Sequence, residues 1–206
     1  MSTMARTDRK PRQRLDPDAR RAAILAAATE AFAAQPYADV KVSAVAAQAG
    51  ASDALLYRYF AGKEELYAAV VRAGVDALGS ALVAALAELD DGVPVRERLR
   101  AAVIVYLDHI AARPGAWAMP HRQPGGEPPA AAALRAAART AYVDRLRALL
   151  APSAQARHEY ALWGYYGFLD AVCLRWVERG CPADDRWSVI DAALGALEGA
   201  LGDWAA

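Results

Sequence analysis

The sequence predicts an all-α protein of about nine helices, and three observations carry that prediction. Apolar residues make up 56% of the 206-residue chain, and much of that share is alanine, the strongest helix former. Apolar positions recur at three- and four-residue spacing, whereas the period-two alternation of a half-buried strand is scarce. Proline and glycine gather at a few points and cut the chain into helix-length pieces. A chain of this length can bury a substantial core, as one large or two small domains.

Residues 1–15 read as a polar, flexible arm. Asp16-Pro17-Asp18 then starts a helix: Asp16 as cap, Pro17 at the first helical position, Asp18 at the positive end of the dipole. It runs to about Ala34 with Ile24, Leu25, Ala28, Ala31 and Phe32 inward, and Pro36 stops it. Tyr37 and Val40 are expected to cover the core beside it. Val42, Val45, Ala46 and Ala49 share one face of a short helix that ends at Gly50. Ser52 caps a second short helix, whose apolar side is Leu55, Leu56, Tyr59 and Phe60. The fourth helix starts at Gly62-Lys63-Glu64-Glu65, has an apolar seam through Leu66, Val70, Ala73, Ala77, Leu78, Ala81 and Leu82, and ends near Leu89 before Asp90-Asp91-Gly92. Pro94 opens a fifth, to about Ala112, with Leu99, Val103, Tyr106, Leu107 and Ile110 inward. Residues 113–129 are the least regular, with at most a short sixth turn near 115–119. Helices from Ala130 to about Leu150, from about Ser153 to Arg179 and from about Ala183 to Trp204 complete the chain.

The two short helices and their glycine turn make a helix-turn-helix, an arrangement whose second helix enters the DNA major groove. The run from Ala46 to Leu66, A-x-x-A-G-A-S-x-A-L-L-Y-R-Y-F-x-G-K-E-E-L, resembles the DNA-binding signature of the TetR family of helix-turn-helix regulators. Val45, Ala46, Ala49, Gly50, Ser52, Leu56, Tyr57, Tyr59, Phe60, Lys63 and Leu66 fit the family pattern. Ala51 replaces its usual valine, Ala54 its glycine, Leu55 a frequent threonine or serine, and Lys41 a capping threonine. These departures touch base readout and the first cap. The resemblance implies a three-helix DNA-binding domain at 16–62, and a helical ligand-binding and dimerisation domain at 63–206 that the helix at 63–89 connects to it.

Base readout requires side chains at the start of the second helix, which selects Ser52, Asp53, Ala54 and Arg58, with Leu55 offering apolar contact only. By resemblance Tyr57 and Lys63 bind phosphate; a phenol and a lysine at a helix N-terminus suit an anionic oxygen. Lys41 is placed to reach the backbone. Tyr59 completes the candidates, although core packing is its plainer role. Net charge is zero, yet residues 1–21 hold seven basic residues and three acids, a basic end on an acidic body.

A reading head of this size covers few base pairs, and two-fold dimers extend it to a palindrome. The last two helices are the expected dimer surface, where Gly164, Gly167, Gly195 and Gly199 allow close approach beside Leu162, Leu169, Leu194, Leu197 and Leu201. The family resemblance also implies a four-helix interface and a small effector bound after the fourth helix. Tyr106, His109, Trp117, Met119, His121, Arg122, Tyr142, Trp163 and Tyr166 are the candidates to line that site, since apolar ligands want aromatic walls and a few polar groups. The expected role is a repressor that a small molecule releases from DNA; a helical small-molecule-binding protein without specific DNA function is the alternative.

No enzyme is expected: there is no G-x-S-x-G and no glycine-rich phosphate loop. His109, His121 and His158 show no metal-site pattern, and no cofactor is expected. Cys173 and Cys181 are too few for a disulfide scaffold and are expected to be reduced in a cytoplasm, a redox-sensing pair being the sharper alternative. No signal peptide and no uninterrupted apolar stretch of membrane-spanning length is read in the sequence.

Overall fold

The computed structural model describes residues 16–150 and 155–202. The arm expected at 1–15, the start expected at Ser153 and the end expected at Trp204 lie outside them. Among the described residues there are nine α-helices and no strand: α1 (Pro17–Ala34), α2 (Val42–Gln48), α3 (Asp53–Tyr59), α4 (Lys63–Ala87), α5 (Val95–Ala112), α6 (Pro114–Arg122), α7 (Pro129–Leu149), α8 (Ala156–Glu178) and α9 (Arg186–Leu201). A single 3-10 turn at Ala183–Asp185 precedes α9.

Local chemistry accounts for most boundaries. Pro17 occupies the first turn of α1, but the Asp16 side chain makes no capping bond; the start rests on proline geometry and on Asp18 at the dipole. Lys41 likewise leaves α2 without a side-chain cap. Gly50, at φ +63, closes α2: its N–H bonds to Ala47 O at 3.0 Å while the Ala51 N–H reaches back to Ala46 O at 2.9 Å. Ser52 caps α3, its hydroxyl accepting from the Leu55 N–H at 3.2 Å. Glu65 turns back to accept from the Ala61 N–H at 2.6 Å ahead of α4.

The stretch expected to be irregular holds α6. Pro114 sits in its first turn, where a missing N–H costs nothing, and Pro120 is accommodated near its end. Gly115 is required for packing rather than for a turn. A Cβ there would lie 2.7 Å from the Ala33 carbonyl oxygen, so α6 rests directly on the backbone of α1.

Two buried clusters form. The first joins Ile24, Ala28 and Phe32 of α1 to Val40, Val45, Ala46, Leu56 and Phe60, and takes Leu66, Tyr67 and Val71 from α4 and Ala131 from α7. Phe32, Tyr37 and Tyr67 pack their rings together within it. The second joins α5, α7, α8 and α9 around Leu107, Ile110, Val143, Leu162, Leu169, Ile190, Leu194 and Leu197. Ion pairs pin α9 to α5: Arg186 with Asp108 at 2.6 Å and Glu198 with Arg96 at 2.8 Å. By length and composition α4 could cross a membrane; here it packs on α1, α5 and α7 and carries Arg72 and Asp76 within its span.

Candidate nucleic-acid interface

Leu56, wholly buried, and Phe60, 1% exposed, anchor α3 in the head. That fixes which residues face out. Ser52, Asp53, Ala54 and Arg58 are exposed, and Tyr57 is 52% exposed, so its ring is not core packing. Leu55 and Tyr59 are half-buried at the edges of this face, and Lys41 is exposed. Lys63 is already engaged: its ammonium donates to the Ala38 carbonyl at 2.9 Å and lies 4.6 Å from the Tyr37 ring centroid. Burial draws the Lys63 pKa down, against the raising influence of Asp39.

Beyond α4, four helices converge on one carboxylate. Asp170 of α8 accepts from the Tyr106 hydroxyl of α5 at 3.1 Å and from Arg139 of α7 at 2.5 Å, with His121 Nε2 of α6 at 3.7 Å. Trp117 Nε1 donates to the Tyr106 oxygen at 3.0 Å, and the Trp117 and His121 rings stack at 4.3 Å. Burial pushes the Asp170 pKa up, but the bonds from His121 and Arg139 outweigh it and leave the group below the ordinary carboxylate value. Of the expected effector residues, Tyr106, Trp117 and His121 thus meet at one place. Tyr142 and Tyr166 form a neighbouring pair: their rings stack at 6.4 Å and the Tyr166 hydroxyl donates to the Tyr142 carbonyl at 3.0 Å. The hydroxyls of Tyr142 and Tyr165 are buried without a hydrogen-bond partner. Tyr142 also walls a surface groove of about 560 Å³ between α4 and α7, together with Val75, Asp76, Gly79, Val83 and Arg145. Met119 and His109 are half-buried, and Arg122 is exposed.

Two expectations about side-chain placement are corrected. Trp163 does not face the aromatic cluster. It is 40% exposed on the outer side of α8, and its indole N–H donates to Glu159 at 2.9 Å. Leu162, Leu169, Leu194 and Leu197 are at most 4% exposed within a single chain, and Leu201 packs against the same core, so they cover this chain's own interior rather than a partner. The opposite face of the two helices carries the exposed glycines and the exposed rings of Tyr160, Phe168 and Trp187. A Cβ on Gly164, Gly167, Gly195 or Gly199 would meet nothing within 4 Å, so nothing inside the chain requires glycine there.

Asp170 and Arg139 were not singled out in the sequence. The one signal was Asp170 itself, the single charge between Tyr160 and Leu174 and one turn after Tyr166. The cysteines are both free; burial, followed by Asp170, pushes the Cys173 thiol up to about 12, and burial raises Cys181, so neither is a ready thiolate. Among the described residues no group of three or more His, Cys, Asp or Glu is placed to hold a metal.

An outward, capped α3 on a three-helix head, followed among the described residues by six further helices, is the arrangement of a helix-turn-helix that offers its second helix to the DNA major groove. Residues 24–70 match the family model described as bacterial regulatory proteins, tetR family. The DNA-reading segment of the chain is thus similar to that of the tetR-family regulators. Over 97 residues the chain is 41% identical to the HTH-type transcriptional activator FasR of Mycolicibacterium smegmatis, a match spanning 47% of this chain and 43% of the relative, less than half of that protein's length. A tetR-family regulator from Streptomyces coelicolor superimposes with a TM-score of 0.75 at 20% identity, over 91% of this chain and 81% of the other. FadR from Bacillus subtilis, solved in complex with stearoyl-CoA, gives 0.68 at 18% identity, over 85% and 96%.

Proposed function

We propose that the chain is a small-molecule-responsive regulator that binds a palindromic operator as a homodimer, in the cytoplasm, and is released from DNA by its effector. The observation that carries this reading is the outward face of α3, where Ser52, Asp53, Ala54 and Arg58 are exposed while Leu56 and Phe60 hold the helix from behind. Arg58, Asp53 and the small residues beside them read bases; Tyr57, Lys41 and the free donors of Lys63 hold phosphates. The dimer forms through the outer face of α8 and α9. Its four open glycines let two helix pairs approach closely, and its exposed rings give up water-accessible apolar area on contact.

The effector binds in the second domain, against Tyr142, Tyr165 and Tyr166 and the Asp170 network. Two buried hydroxyls without partners suit a largely apolar molecule bearing a few hydrogen-bonding atoms. Stearoyl-CoA, the ligand of the Bacillus subtilis FadR structure, is the first compound to try. The signal travels through α6. Its His121 and Trp117 meet the Asp170 network, while its Gly115 rests on Ala33 and its Arg113 pairs with Glu30 of α1 at 3.5 Å. A ligand that favours a shifted α6 therefore favours a different spacing of the two heads.

Fluorescence anisotropy with labelled DNA from the region upstream of the coding sequence tests the whole reading. Preference over a scrambled duplex, two protomers per site, a steep loss with salt and release on adding the acyl-CoA are expected. Equal binding to both duplexes across the salt series overturns specific recognition. The name of the Mycolicibacterium smegmatis relative carries the second reading, activation. A reporter in which the regulator raises rather than lowers transcription from the bound promoter would establish it.

A further inference from the structure

Arg20 and Arg21 belong by sequence to the basic N-terminal end, but in the structure each makes a contact within the head, although Arg21 stays exposed to solvent. Arg20 is half-buried, and one Nη of its guanidinium donates to the Ala49 carbonyl at 3.3 Å and to the Gly50 carbonyl at 3.4 Å. Those carbonyls lie at the end of α2. A helix leaves its last carbonyls without partners and carries partial negative charge there, and a guanidinium answers both needs. Arg21, the next residue, lies 5.0 Å from the centroid of the Phe60 ring. Phe60 is the C-cap of α3. Two consecutive residues in the first turns of α1 therefore hold the exit of α2 and the exit of the reading helix, with the turn at Gly50 between them.

We infer that Arg20 is a positioning residue for DNA reading, assisted by Arg21: it fixes where the turn delivers α3 and does not bind DNA itself. The inference rests on the DNA-reading function proposed above. It goes beyond that function by assigning to a contact within the head a charge that the basic N-terminal end would otherwise claim for phosphates. Glycine at the turn allows the conformation; Arg20 selects the direction in which the turn leaves α2.

The test uses the full-length protein and a duplex selected by the wild-type protein from a random pool, with a scrambled duplex as reference. For Arg20→Ala, affinity for the selected duplex is expected to fall about tenfold. Affinity for the scrambled duplex and the slope of log affinity against log salt should stay at wild-type values. Arg20→Lys keeps the charge without the planar fork and should restore less than half of the lost specificity. A phosphate contact would give the opposite pattern: equal losses on both duplexes, a slope shallower by about one, and near-complete rescue by lysine; that pattern overturns the proposal. Hydrogen exchange on the free protein gives a readout independent of DNA. The Gly50 and Ala51 amides should exchange faster in Arg20→Ala while those of α7 do not change, and unchanged exchange at the turn also overturns it. If no duplex is selected at all, the DNA-reading function fails while the exchange result still decides the clamp.

Discussion

Gly115→Ala probes the contact between α6 and α1. The added Cβ would lie 2.7 Å from the Ala33 carbonyl oxygen and 3.7 Å from its carbon. The obstacle is backbone of α1 and cannot swing aside as a side-chain tip would. Relief requires α6 to lift from α1, and overpacking of this kind costs about 1–3 kcal/mol. Against it stands the helix-propensity gain of alanine over glycine, about 0.5–1 kcal/mol. A net loss of about 1–2 kcal/mol remains. For a chain of this size that lowers Tm by roughly 2–4 °C per kcal/mol. Thermal unfolding by circular dichroism reads the sign directly. A lower Tm, with altered operator affinity in the absence of effector, agrees with a tight α6–α1 joint. A raised Tm would mean that only propensity changed, which refutes both the contact and the signal route through α6.

Ser52→Ala removes the bond to the Leu55 N–H and should cost about 1 kcal/mol, seen as faster amide exchange in α3 and weaker operator binding. Gly167→Glu puts a charge on the outer face of α8, where the chain's own atoms leave room; sedimentation should show monomers of unchanged helicity that no longer bind the palindrome. His109 has its pKa lowered by burial first and by Arg113 second, so the fold favours neutral imidazole. Its stability contribution is present above the unfolded value of ~6.5 and is lost as pH falls below it, and His109→Gln should flatten denaturant stability between about pH 7 and 5. The lowered pKa of Asp170 acts further down: its contribution is held above ~3.9 and lost as pH falls towards the folded value. Asp170→Asn should therefore remove an acid-side slope and weaken the response to effector.

The helix-turn-helix was readable because its determinants are local. Gly50, Ser52 and the spacing of Val45, Leu56 and Phe60 lie within a few turns of one another and act through capping and periodicity. The sixth helix was not, because Pro114, Gly115 and Pro120 each break structure locally, and what makes Gly115 useful is Ala33, distant in sequence. The leucines of α8 and α9 illustrate a different limit. Periodicity identifies an apolar face but not what covers it, and Leu162 and Leu194 turned out to cover their own core. The glycines marked the other face. The network around Asp170 needs α5, α6, α7 and α8 together, and no spacing within one helix announces such a meeting.

The length and apolar character of α4 have a consequence for synthesis. Its cover includes α7, which ends at Leu149, about 60 residues after α4 ends at Ala87. At ~5–20 residues per second the ribosome takes roughly 3–12 s to supply that cover. For those seconds the nascent chain presents a helix that passes for a membrane span. Arg72 and Asp76, near its middle, each oppose insertion by about 2.5–3.5 kcal/mol. These two charges therefore oppose insertion of the growing chain into a bilayer until its partner helix arrives.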